Sequence, residues 1–215
     1  MLTDQLSTEA LGVLLHAAGA VSGVVDTPPC RFEVNGHLID VYIDGAHLLP
    51  ANDPTARTRR IATGGAIFNL RCAAASLSFD SWVSICPYPY DPDLAARIVV
   101  EPTGLPDQEL RRLYGAILSR HLPRPPGFPD RTVRTALTRA AEIETAKLTW
   151  LPRSLADLAT LSTDRDEPAD QVVLGIARQR VLLTSLAHDV QAMCLHQTLM
   201  RFGREPGEAA RTDDR

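Results

Sequence analysis

The sequence predicts an α+β fold of helices packed on a sheet, and three observations carry that expectation. Hydrophobic residues are 45% of the 215-residue chain but aromatic residues only 5%, so the core must be built from Leu, Val, Ile and Ala, a composition suited to helices covering a sheet. Stretches with apolar residues at helical spacing recur along the chain. Between the first two, Asn35-Gly36 separates two short runs of strand character, the strongest short-range signal of a hairpin. The length allows one large domain or two small ones and burial of roughly 70% of the unfolded surface.

The elements follow in chain order. Ser7 is placed to cap a helix whose Leu11, Leu14, Leu15 and Ala18 share a face and which ends near Gly19 to Gly23. Cys30 to Val34 and Leu38 to Ile43 form the hairpin strands. Asp53-Pro54 leads into a helix through Ile61, Ala66, Leu70 and Ala74, where Gly64-Gly65 permits close backbone approach. Phe79 to Cys86 reads as a strand, and a turn with Pro87, Pro89 and Pro92 separates it from another at Arg97 to Val100. Pro106 and Asp107 start a helix with Leu110, Tyr114, Ile117 and Leu118 on one face.

Prolines make Arg120 to Asp130 an extended connector. Asp130 caps a helix carrying Val133, Leu137 and Ile143, followed by a strand at Lys147 to Leu151 and a short helix capped by Ser154. The last long helix spans about Ala169 to Gln191. The sequence thus predicts a folded domain over 1–202 and a polar, charged, disordered tail over 203–215.

Composition narrows the function classes. A net charge of -4 and a pI near 5.8 give no electrostatic footprint for nucleic acid or an anionic membrane. Arg57, Arg59 and Arg60, with Arg111 and Arg112, form clusters too small to reverse that and read as helix surface. Lys147 is the only lysine, a mark of GC-rich codon usage more than of anion chemistry. The apolar stretch Leu11 to Val25 is preceded by Asp4 and Glu9 and lacks a basic leader, so it is not read as a signal peptide. No segment approaches the roughly 20 apolar residues of a membrane span, and the expected location is cytoplasmic.

Side-chain chemistry is sparse. The sequence has no G-x-S-x-G, no phosphate-binding P-loop, no H-E-x-x-H and no dinucleotide fingerprint after a strand. Cys30, Cys72, Cys86 and Cys194 make no ligand spacing and read as small hydrophobes. Six histidines are scattered without pairing. No catalytic side chain and no metal site are expected.

The informative feature is a resemblance. Leu14 to Val34, LLHAAGAVSGVVDTPPCRFEV, is similar without gaps to the nitroreductase pattern of a helix, then A-P-S-x-x-N-x-Q-P-W, then a strand. It continues through LIDVYIDGAHLLPANDP (Leu38 to Pro54) and ATGGAIFNLRCAAA (Ala62 to Ala75). It resumes at AILSRHLPRPPGF (Ala116 to Phe128) and PADQVVLGIARQRVLLTSL (Pro168 to Leu186). The chain resembles the Acg-type FMN-binding nitroreductases of actinobacteria, shortened between about Thr160 and Pro168. That resemblance implies a central, mostly antiparallel sheet flanked by helices, a homodimer, and FMN taking hydride from NAD(P)H.

On this alignment the family's flavin-contacting serine, asparagine and glutamine fall on Gly23, Asp26 and Pro28, and its tryptophan on Cys30. Proline and glycine supply no side-chain donor, and Asp26 brings negative charge toward an anionic cofactor. The family's arginine-rich turn reads Arg120-His121-Leu122-Pro123-Arg124, so Arg120 and Arg124 are the expected phosphate contacts. Three lost polar contacts remove about 1.5–4.5 kcal/mol, on the order of tenfold to a thousandfold in affinity. Two readings follow: an FMN-dependent oxidoreductase, or a non-catalytic homologue that kept the fold, lost the reaction and either sequesters flavin or another anionic small-molecule ligand or pairs with a partner.

Overall fold

A computed structural model of the chain describes residues 6–21, 30–44, 56–122, 128–151 and 158–192. Eleven elements are described: α1 (Thr8–Gly19), β1 (Cys30–Asn35), β2 (Leu38–Ile43), α2 (Arg57–Ser76), β3 (Phe79–Ile85), β4 (Leu94–Pro102), α3 (Gln108–Ser119), α4 (Arg131–Ile143), β5 (Lys147–Trp150), β6 (Ala159–Ser162) and α5 (Pro168–Ala187). The α+β expectation holds, with an antiparallel sheet in the order β1-β2-β4-β3 and a separate β5-β6 hairpin.

The caps that start the helices are local chemistry. Ser7 accepts from the Ala10 amide, Asp107 from those of Glu109 and Leu110, and Asp130 from that of Val133, each satisfying amides that a first helical turn leaves unpaired. At α5, Glu167 and Asp170 cap one another reciprocally and Pro168 follows the cap. The hairpin forms as expected, but its positive φ of 63° falls on Gly36 alone, and Asn35 pairs with Leu38 as the last ladder residues. The loop is therefore Gly36-His37, with glycine first as in a type II′ turn.

One face of the sheet is the core face. Ile39, Val41, Ile98 and Val100 are buried there against α2, whereas Arg31, Glu33, Trp82 and Ser84 on the other face are exposed. On that outer face Arg97 grips Asp40 with two bonds of 2.7 Å across the β2–β4 register, and Tyr88 stands over the guanidinium.

The centre is the pairing of α2 with α5. Both helices carry a glycine at their crossing, and a Cβ on Gly64 would stand 2.1 Å from the Val172 carbonyl oxygen while one on Gly175 would stand 2.0 Å from that of Ile61. The two helices run in the same direction. Arg57 pairs with Asp166, Arg60 bonds Gln171, and Gln179 donates to Asn69, whose own amide donates to the Ala17 carbonyl of α1. A charged knot closes the far end, where Arg180, 3% exposed, binds Glu144 and Glu109 at 2.9 Å each, and Glu144 also receives Arg71. Both guanidiniums sit over Phe68, 5.3 and 5.6 Å from its ring centre.

Several expectations are corrected. Leu118 is exposed, and the buried face of α3 is Leu110, Leu113, Ala116 and Ile117. Ile143 of α4 is also partly exposed, at 40%, and the buried face is Leu137, Ala140 and Ala141. Strand β4 extends well beyond Arg97 to Val100, α5 ends at Ala187, and β6 arises where no strand was expected. The helix expected at Ser154 and the tail expected at 203–215 lie outside the described residues. No described helix is long and apolar enough to cross a membrane.

Candidate functional site

Of the five residues expected at a flavin, only Arg120 lies among the described residues; Gly23, Asp26, Pro28 and Arg124 lie outside them. Arg120 is the C-cap of α3 and is exposed, and none of the described residues pairs with its guanidinium. An unengaged guanidinium fits a phosphate, since its fork of donors matches phosphate oxygens. Its position works in the other direction. The carbonyl end of a helix carries partial negative charge that favours a cation such as Arg120 but opposes an approaching anion.

The described elements on either side of 22–29 can be placed. Helix α1 runs against α2, with the Ala17 carbonyl bonded to Asn69 and Val21 against Gly65, so α1 ends beside the first half of α2. Strand β1 begins at Cys30, which pairs with Ile43. Helix α3 points the other way. Glu109 lies at Arg180 and Arg112 donates to the Ala187 carbonyl, so α3 advances with α5 toward the end where α2 stops. Within one copy, Arg120 and the flanks of the 22–29 segment therefore lie toward opposite ends of α2.

Cys30 is buried at the start of β1. Burial, aided by the negative charge of Asp44, pushes its thiol up to about 12, so it is a packing residue and not a nucleophile. Cys72 is likewise pushed up to about 12 by burial, against the opposing pull of Arg71 and Arg180. Burial also raises the half-exposed Cys86. Among the described residues no group of three or more His, Cys, Asp and Glu side chains could hold a metal ion.

Three arginines of the sequence clusters contact α5 or its approach: Arg57 pairs at the surface with Asp166 just before the helix, Arg60 bonds Gln171 in its first turn, and Arg112 donates to the Ala187 carbonyl at its end, while Arg111 is exposed on α3. One feature was not visible in the sequence. A groove of about 330 Å³ opens between α3, α4 and α5, its lining including Leu113, Ala140, Ile143, Arg112 and Arg139.

No protein-family model matches the sequence, and a search of the curated proteins finds no match.

Proposed function

We propose that this chain is a nitroreductase-like flavin protein whose FMN site is weakened and is composed between two copies of the chain. The observation that carries the composite form is the direction of α3. Arg120 and the flanks of the segment bearing Gly23, Asp26 and Pro28 point to opposite ends of α2, and two copies related by a two-fold axis bring such ends together. The resemblance quoted above supplies the cofactor; the α+β scaffold is compatible with it.

When bound, the flavin supplies hydride chemistry, accepting from NAD(P)H and passing electrons to a nitro, quinone or similar acceptor. The chain's own residues hold and orient. Arg120 and Arg124 neutralise the phosphate, and backbone amides near Gly23 carry what remains of the ring contacts, because Gly23 and Pro28 offer no side-chain donor. No side-chain acid or base is obligatory in this chemistry, in keeping with a described interior whose thiols are held protonated by burial.

The second reading, a homologue that binds ligand or partner without turnover, draws on the helix end at Arg120 and on the four changed positions. A titration of the protein with FMN, followed by quenching of flavin fluorescence, separates the two when paired with an NAD(P)H oxidation assay. The flavin enzyme binds and turns over, with affinity falling about tenfold or more for Arg120→Ala with Arg124→Ala, on the scale of charge-assisted bonds. Binding without turnover supports the second reading, and unchanged affinity in the double variant removes both arginines from the site.

A further inference from the structure

We infer that the outer edge of β1 is an interface for a second copy of this chain, joined strand to strand in antiparallel so that two sheets become one. The described sheet ends at β1, with no described strand beyond it. Which of its backbone groups face outward follows from the ladder. The Val100 amide donates to the His37 carbonyl across β2–β4, and hydrogen-bonding direction alternates along a strand, so Leu38, Asp40 and Tyr42 turn toward β1. Their partners Asn35, Glu33 and Arg31 are thereby engaged, and the amides and carbonyls of Cys30, Phe32 and Val34 point away from β2. Such a row is a template for another strand.

The side chains select which strand. Val34 lies on the core face and is 39% exposed, although Ile39 directly opposite it is fully buried. On the outer face Arg31 and Glu33 ion-pair with each other at 55% and 57% exposure, and Arg31 stacks over the Tyr42 ring. A second β1 complements both faces. Outward-facing residues pair only with outward-facing residues, and setting Phe32 against the partner's Phe32 also sets Cys30 against the partner's Val34 and Val34 against the partner's Cys30. The same register places Arg31 opposite the partner's Glu33 and Glu33 opposite the partner's Arg31, which joins the four charges in one alternating cluster. Sliding one chain by two residues leaves an outward residue unpaired and sets arginine against arginine or glutamate against glutamate. Charge and backbone therefore choose the same register. The opposite edge, β3, has Asp80 as its sole charged residue and no cation to answer it in a second copy.

The inference rests on the edge of β1 alone and does not depend on the flavin reading, so its test uses the full chain free of flavin. Sedimentation velocity over a concentration series should show reversible dimer formation. Arg31→Glu and Glu33→Arg each set like charges opposite one another twice in the dimer, and each should weaken association by about tenfold or more. Mixed in equal amounts, the two variants should associate again, because every charged pair across the joint is then of opposite sign. In hydrogen exchange, the Phe32 and Val34 amides should be slow in the dimer and fast after dilution to monomer. The inference is overturned by a chain that stays monomeric, by a dimer that neither substitution weakens, or by a mixture that associates no better than its components. Slow exchange of those amides in the monomer also overturns it, since the chain itself would then cover the edge.

Discussion

At the scale of single residues, the most consequential side chain is Arg180. Its guanidinium is 3% exposed and is shared between Glu109 and Glu144, with Arg71 completing the neutralisation. Removing one member of a buried pair leaves an uncompensated charge, so Arg180→Met should destabilise the fold by about 3–5 kcal/mol, read as a shift in the urea midpoint. The loss should be smaller in a background where Glu144 is already Gln. Cys72 gives a pH dependence with a definite sign. Its folded thiol titrates at about 12 against an ordinary 9.0, so its contribution is complete below pH 9 and is lost as pH rises toward 12, where the unfolded chain ionises first. Cys72→Ala should flatten that alkaline decline in stability. Neither residue was singled out by the sequence, because Arg180 looks like one of many arginines and its partners lie 36 and 71 positions away. The caps at Ser7, Asp107 and Asp130 were legible, since they depend on residues within one turn.

At the scale of elements, the crossing of α2 and α5 sets the geometry of everything else. Gly64→Ala and Gly175→Ala each drive a methyl into backbone oxygen at about 2 Å, so the helices must part. Each should cost about 1–3 kcal/mol or more in thermal unfolding. Gly12→Ala, on the exposed face of α1 with nothing within 4 Å, should instead stabilise by about 0.5–1 kcal/mol. The sequence marked Gly64-Gly65 as a place of close approach but not which helix approaches, because its partner glycine is 111 positions on. The helix starts and the hairpin were readable from capping and turn chemistry, whereas the end of α5 was placed a turn too late. Strand β6 was not, as the four residues ATLS have no alternation of their own and gain strand character from pairing with β5. Leu118 was grouped on one face with Leu110 and Ile117, and Ile143 named beside Leu137, because helical period alone does not tell which of two adjoining stripes a neighbour covers; the buried stripes instead include Ala116, Ala140 and Ala141.

At the scale of the whole molecule, the α+β class was legible and the functional reading rests on a resemblance carried by segments spread along the chain. The described helices give that reading a geometric form. Because Arg120 and the 22–29 flanks point apart within one copy, flavin retention should depend on dimerisation, and light scattering under binding conditions should give the mass of two chains. A flavin bound equally well by a monomer would contradict the composite site. The most direct measurement of the central claim is the visible absorption spectrum of the freshly purified protein, repeated after addition of FMN and then of NAD(P)H. A nitroreductase-like flavin enzyme shows bound-flavin bands, as purified or after reconstitution, that bleach on reduction and return with an acceptor. A colourless protein that neither retains added FMN nor oxidises NAD(P)H in its presence would contradict it.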